Sequence, residues 1–230
     1  MSTATRFQRI RNELQKECEK AGRNPQDVLL LAVSKTVDTD QVAQAIEAGA
    51  TAFGENRPDE LLRKQAVFPQ VQWHFIGNIQ SRRIPDIVSA ATLIHSVSKE
   101  AHLAKIDSAA EKLGKCQRLL LEVNVSGEES KSGFSPDEVE GVIERASGLP
   151  HIVIEGLMTM APQGDKDAII ATFSGLERLR DTVQAQLQNK GVSCHLSALS
   201  MGMTEDWPYA VGFGTTIVRI GRAIFSDEFE

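Results

Sequence analysis

A chain of 230 residues with 41% hydrophobic and 24% charged residues has the composition of a globular protein with a substantial core. Its net charge of −6 argues against a general nucleic-acid or anionic-membrane binder, both of which need a basic face. No apolar run approaches membrane-spanning length, and the polar N-terminus resembles no secretion signal.

The first predicted element is an amphipathic helix, because Phe7, Ile10, Leu14 and Cys18 recur at spacings of three and four and share one stripe. Gly22 and Pro25 supply its stop. Short apolar runs at 29–33, 51–53, 72–76, 92–95, 118–125, 152–157, 196–198 and 217–218 then read as strands. Between them, 39–48, 55–66, 99–113, 136–146 and 167–188 read as helices. Ser135-Pro136 gives an N-cap with a first-turn proline, and Gly191 a stop after the longest helix. Strand followed by helix, repeated about eight times, predicts a parallel sheet with right-handed crossovers. An open doubly wound sheet would give similar local patterns. Eight units in so short a chain, with no linker, favour closure, so the expected fold is α/β: one (β/α)8 TIM-type barrel over 1–230 with an extra N-terminal helix.

In such a barrel the functional residues collect at the C-terminal ends of the strands. Lys35 closes the run Leu-Leu-Leu-Ala-Val-Ser. A half-buried amine there has its charged form disfavoured and becomes a nucleophile toward an aldehyde; otherwise it is a solvated loop cation. The turn Ser200-Met201-Gly202-Met203 and the segment Arg219-Ile220-Gly221-Arg222 follow the last two strands, where barrels often form a phosphate cup. Ser200 would give a hydroxyl, and Gly221 and Arg222 main-chain N–H groups; the alternative is two ordinary turns. Gly212-x-Gly214 precedes a strand and lacks a third glycine, so it is no dinucleotide fingerprint. The five histidines show no metal-ligand spacing. Only His74 is well placed near the mouth, where a site role competes with a structural bond to backbone. Cys18, Cys116 and Cys194 lie far apart without a C-x-x-C pair, which fits a reducing, cytoplasmic setting.

Eight segments, in order over nearly the whole chain, resemble the pyridoxal phosphate homeostasis proteins, whose barrel is similar to the N-terminal domain of alanine racemase. They are Leu-Leu-Ala-Val-Ser-Lys-Thr at 30–36, Phe-Gly-Glu-Asn at 53–56, Trp-His-Phe-Ile-Gly at 73–77, Val-Asn-Val-Ser at 123–126, Lys-Ser-Gly-Phe at 131–134, Gly-Leu-Met at 156–158, Leu-Ser-Met-Gly-Met at 199–203 and Val-Arg-Ile-Gly-Arg-Ala-Ile-Phe at 218–225. The resemblance implies pyridoxal 5′-phosphate (PLP) as cofactor, carried as a Schiff base on Lys35. It implies that Ser200, Gly221 and Arg222 cup the phosphate, that Arg219 faces the pyridine nitrogen, and that Asn56 and Met158 line the cofactor. Arg57-Pro58-Asp59, Ser81-Arg82-Arg83 and Ser226 depart from the family's usual pattern.

Racemising an amino acid on PLP needs two positioned acid–base groups, one on each face of the carbanion. Lys35 serves one face. Alanine racemase takes the other from a tyrosine on a separate β-rich domain, and no such domain is expected in a chain that ends five residues after Phe225. His74, Cys194 or Tyr209 are the candidate substitutes. The expectation is therefore a PLP carrier acting in intracellular PLP homeostasis, with a low-activity PLP-dependent racemase as the alternative and a regulatory module reporting cofactor status as a third class. Besides PLP, small amino acids or apo-PLP enzymes are the implied partners, with no nucleic acid and no membrane. A monomer is expected and a dimer left open. The acidic 227–230 tail reads as a solvated terminus.

Overall fold

The computed structural model describes residues 1–128 and 131–229. The stripe read from the sequence forms α1 (Thr3–Lys20), with Phe7, Ile10, Leu14 and Cys18 all buried. The chain leaves α1 through Gly22, whose positive φ of 68° suits a residue without Cβ.

Strands and helices then alternate: β1 (Leu29–Val33), α2 (Thr39–Glu47), β2 (Ala52–Glu55), α3 (Pro58–Val67), β3 (Gln72–Phe75), α4 (Ile84–Ala90) and β4 (Leu93–Val97). They continue through α5 (Glu100–Lys112), β5 (Gln117–Glu122), α6 (Val139–Ala146), β6 (Ile152–Met158) and α7 (Lys166–Asn189). β7 (Ala198–Ser200), α8 (Trp207–Val211), β8 (Ile217–Ile220) and α9 (Arg222–Phe225) complete the series. All neighbouring strands pair in parallel, and β8 returns to β1 with Leu31 opposite Arg219, so the sheet closes into the expected eight-stranded barrel.

Several boundaries differ from the sequence reading. α3 begins at Pro58 rather than 55, because proline is favoured in the first helical turn and forces extended backbone on the residue before it. That leaves Glu55 in β2. β5 stops at Glu122 instead of running to 125, where the Asn124 carboxamide accepts from Gly127 N–H and turns the chain. β7 sits two residues later than expected. Gln184 of α7 accepts from Leu196 N–H and donates to the Cys194 carbonyl, tying the approach segment to the helix. α4 had no counterpart in the sequence reading; it has seven residues, and its proline stands in the first turn, where no N–H is needed.

The extra helix is part of the outer layer. β8 is followed only by the four-residue α9, and α1 packs against α2, α8 and α9. Arg6, buried in α1, donates to the Ile224 carbonyl at 2.9 Å and pairs with Asp227, while Arg9 donates to the Phe229 carbonyl at 2.8 Å. The tail is thus pinned to α1 rather than simply solvated; Glu230 lies outside the described residues.

Two apolar layers result. Leu31, Ala52, Leu93, Leu120, Met158 and Ile217 fill the barrel's inside, and a larger cluster including Phe53, Trp73, Ile94, Leu121 and Val218 lies between sheet and helices. Among the described residues no helix is long and apolar enough to cross a membrane.

Candidate functional site at the barrel mouth

Lys35 sits in the turn directly after β1, continuing the alternation of Leu29, Leu31 and Val33. Its side chain is exposed, not half-buried as expected, because the strand ends two residues earlier. Among the described residues the amine forms no hydrogen bond or ion pair.

Behind the sheet, directly beneath this turn, lies a buried ion pair that the sequence reading missed. Lys64 of α3 donates to Glu55 Oε1 at 2.6 Å and to the Ser34 carbonyl at 2.8 Å, and the Ser34 hydroxyl donates to the same carboxylate oxygen at 2.6 Å. Lys64 and Glu55 are both fully buried. Glu55 Oε2 is left without a protein partner. The signal was available: Lys64 follows buried Leu61 by three positions and so shares its helix face.

Arg219 of β8 is buried inside the barrel. Its Nη1 donates to the Ser200 carbonyl at 2.8 Å and to Ser200 Oγ at 2.7 Å, and its Nη2 donates to the Thr159 carbonyl at 3.0 Å. Burial lowers its pKa to about 10, partly offset by the Asp206 and Glu122 carboxylates, so it keeps its charge at neutral pH. Among the described residues Nε has no hydrogen-bond partner, and it is not among the fully buried unpaired atoms.

Ser200 also meets His95 of β4, Nδ1 to Oγ, at 2.9 Å, and His95 Nε2 lies 2.9 Å from His74 Nδ1. β4 and β7 are not neighbours, so this bond crosses the barrel's interior. Burial holds both imidazoles neutral, pushing the pKa of His74 down to about 3 and that of His95 well below 6.5. His74 was foreseen near the mouth; His95 was not, although it follows inward-facing Leu93 by two positions.

Of the remaining candidates, Met158 is buried beside Thr159 in the inner cluster, and Asn56 is exposed after β2. A Cβ on Gly77 would lie 2.0 Å from the Asn56 carbonyl, which fixes how closely the second and third mouth loops approach. Gly221 lies against β1, where a Cβ would come 3.2 Å from the Val33 carbonyl, two residues before Lys35. The Arg222 guanidinium turns to Glu205, but among the described residues the main-chain N–H groups of Arg222 and Ala223 bond to no backbone carbonyl. The departures at Arg57-Pro58-Asp59 and Arg82-Arg83 meet in one rim cavity of about 410 Å³ that also touches Asn56 and Gly77.

The candidate substitutes for a second acid–base group take three different positions. Tyr209 belongs to α8 and faces Lys166 of α7, 5.4 Å from its ring. Cys194 lines a cavity of about 570 Å³ with Ile152 and Val153, at the opposite end of the barrel. His74 is bonded within the interior.

A phosphorylated pyridine aldehyde fits the chemistry of this donor set. It needs a free amine, which Lys35 offers, and a donor for a ring nitrogen, which Arg219 Nε offers. For an anion it needs unbonded N–H groups, found at Arg222 and Ala223 where Gly221 allows close approach.

Residues 6–228 match the family model of the alanine racemase N-terminal domain. The pyridoxal phosphate homeostasis protein of Aquifex aeolicus is 34% identical over 230 residues, covering 99% of both chains, and that of Pseudomonas aeruginosa is 36% identical, covering 98% of this chain and 96% of its own. The structure of PipY from Synechococcus elongatus with PLP bound superposes with a TM-score of 0.80 at 32% identity, covering 93% of this chain and 100% of PipY. Alanine racemase of Clostridium difficile shares the fold, with a TM-score of 0.70 at 15% identity; the match spans 94% of this chain and 56% of the racemase. The chain belongs to the family of pyridoxal phosphate homeostasis proteins, built on the barrel of the alanine racemase N-terminal domain.

Proposed function

We propose that this protein holds PLP as a Schiff base on Lys35 and serves intracellular PLP homeostasis as a cofactor carrier, without robust catalytic turnover. The observation that carries the reading is the free Lys35 amine at the close of β1, with Gly221 seated against the same strand end. When bound, PLP supplies an aldehyde carbon and an electron-withdrawing ring.

The protein's own residues do the rest. Lys35 contributes the amine. Arg219 offers Nε toward the ring nitrogen, and because a guanidinium only donates, that nitrogen stays unprotonated and the ring a weak electron sink. Gly221 and Arg222 hold the phosphate through main-chain N–H groups. Asn56 and Met158 line the cofactor. Ser200, expected in the phosphate cup, is engaged by Arg219 and His95, and we assign it to act through Arg219. Cys194 lies at the far end of the barrel and His74 is engaged by His95, which supports a carrier over a racemase, because two-sided proton transfer needs a second group opposite Lys35. Purified, PLP-loaded protein should show no robust interconversion of L- and D-amino acids. Turnover that disappears in Lys35→Ala would overturn the carrier reading in favour of a racemase.

A further inference from the structure

The hydrogen bonds running from Arg219 to the foot of β3 permit one direction that satisfies every member. A guanidinium has donors only, so Ser200 Oγ accepts from Arg219 Nη1. Among the described residues the hydroxyl's own hydrogen then has one partner, His95 Nδ1, which must accept it. His95 therefore carries its hydrogen on Nε2 and donates to His74 Nδ1. His74 in turn carries its hydrogen on Nε2, facing Gln72 Oε1 at a long 3.5 Å. The reverse direction would leave the Ser200 hydroxyl hydrogen buried without an acceptor.

We propose that His95 is a positioning residue for Arg219: the one-way chain Arg219, Ser200, His95, His74, Gln72 fixes the Ser200 hydroxyl and so holds the guanidinium in the place that its bonds to Ser200 and Thr159 define. Ser200 acts toward a bound cofactor through Arg219, since its single hydrogen is committed to His95. The chain also needs both imidazoles uncharged, because a protonated His95 would place a second donor against Ser200 and a cation close to Arg219. Arg118, Glu122 and Asp206 are the other charged groups acting on this interior cluster, and neither carboxylate bonds to a histidine. The effect on PLP rests on the reading proposed above; the direction of the chain does not.

Two measurements separate those levels. In the wild-type protein without PLP, ¹⁵N–¹H correlation of the imidazoles should show both His74 and His95 as neutral Nε2–H tautomers; an Nδ1–H tautomer at His95 would overturn the chain. In PLP titrations followed by absorbance, His95→Phe should weaken retention about tenfold and shift the absorption of the bound cofactor. Arg219→Met should do the same, the double variant should be no worse than either single one, and His95→Gln, which keeps donors and an acceptor, should recover part of the loss. A folded His95→Phe protein with wild-type affinity and spectrum would overturn the positioning role. Failure of wild-type protein to form a reducible adduct on Lys35 would instead overturn the cofactor reading, leaving the tautomers to decide the chain.

Discussion

Lys64 Nζ donates to the carbonyl oxygen of Ser34 at 2.8 Å, so a fully buried ammonium on α3 holds the peptide that immediately precedes Lys35. The same ammonium pairs with Glu55, which accepts from the Ser34 hydroxyl, so the ends of β1 and β2 are clamped to one helix. Burying two charges is unfavourable unless they are paired and hydrogen-bonded, and removing one partner strands the other. Lys64→Met should therefore destabilise the fold by about 3–5 kcal/mol in urea denaturation. Glu55→Leu combined with Lys64→Met should lose less than the sum of the single changes, because it leaves no uncompensated charge. An additive double variant would show that the two side chains do not act as a pair.

The buried histidines give stability a defined acid dependence. His74 is neutral in the fold with its pKa near 3, while in the unfolded chain a histidine titrates at about 6.5. Between those values the unfolded state binds a proton that the folded state does not, so stability rises with pH across the window and falls as pH drops from about 6.5 toward about 3. The limiting slope is about 1.4 kcal/mol per pH unit for each such histidine. Glu122 and Asp206, pushed upward by burial, act in the opposite sense. Comparison with His74→Phe isolates the histidine contribution: between pH 6.5 and pH 4.5 its urea midpoint should fall less steeply than that of the wild type. Equal slopes would contradict the assignment.

Two glycines separate backbone strain from crowding. Gly191, after α7, has φ of +73° with nothing within 4 Å of a Cβ; Gly202, after β7, has φ of +94° and Trp207 Cα 2.8 Å from one. Gly191→Ala should lose about 1–2 kcal/mol from strain alone. Gly202→Ala should lose more and should displace the loop that meets β8, where Arg219 N–H donates to the Gly202 carbonyl at 2.9 Å. Thermal melts of the two variants side by side check this order, and equal losses would show that Trp207 yields at no cost.

The barrel was legible because its signals are local. The run at 29–33 is β1 to the residue, and the stripe of Phe7, Ile10, Leu14 and Cys18 is buried as read. Gln184 moved β7 through a side-chain bond from the preceding helix, and α4 escaped notice because Ile84, Ile87 and Val88 are interrupted by Pro85. The mouth was legible in its single residues, since Lys35, Ser200, Gly221 and Arg222 all fall where strands hand over to helices. Their partnerships were not. The bond between His95 and Ser200 joins strands three apart in the barrel, and the spacing that puts Lys64 on the face of Leu61 does not name Glu55 as its partner. Period-two and period-three spacing show which face a residue takes, not which residue meets it from across the fold.

The attachment of the cofactor to Lys35 is tested most directly by adding PLP to the purified protein, reducing with borohydride and mapping the labelled peptide by mass. One pyridoxyl adduct is expected, on the peptide containing Lys35, and its loss in Lys35→Ala. An adduct that stays in that variant, or that falls at Lys64 or another lysine in the wild type, would contradict it.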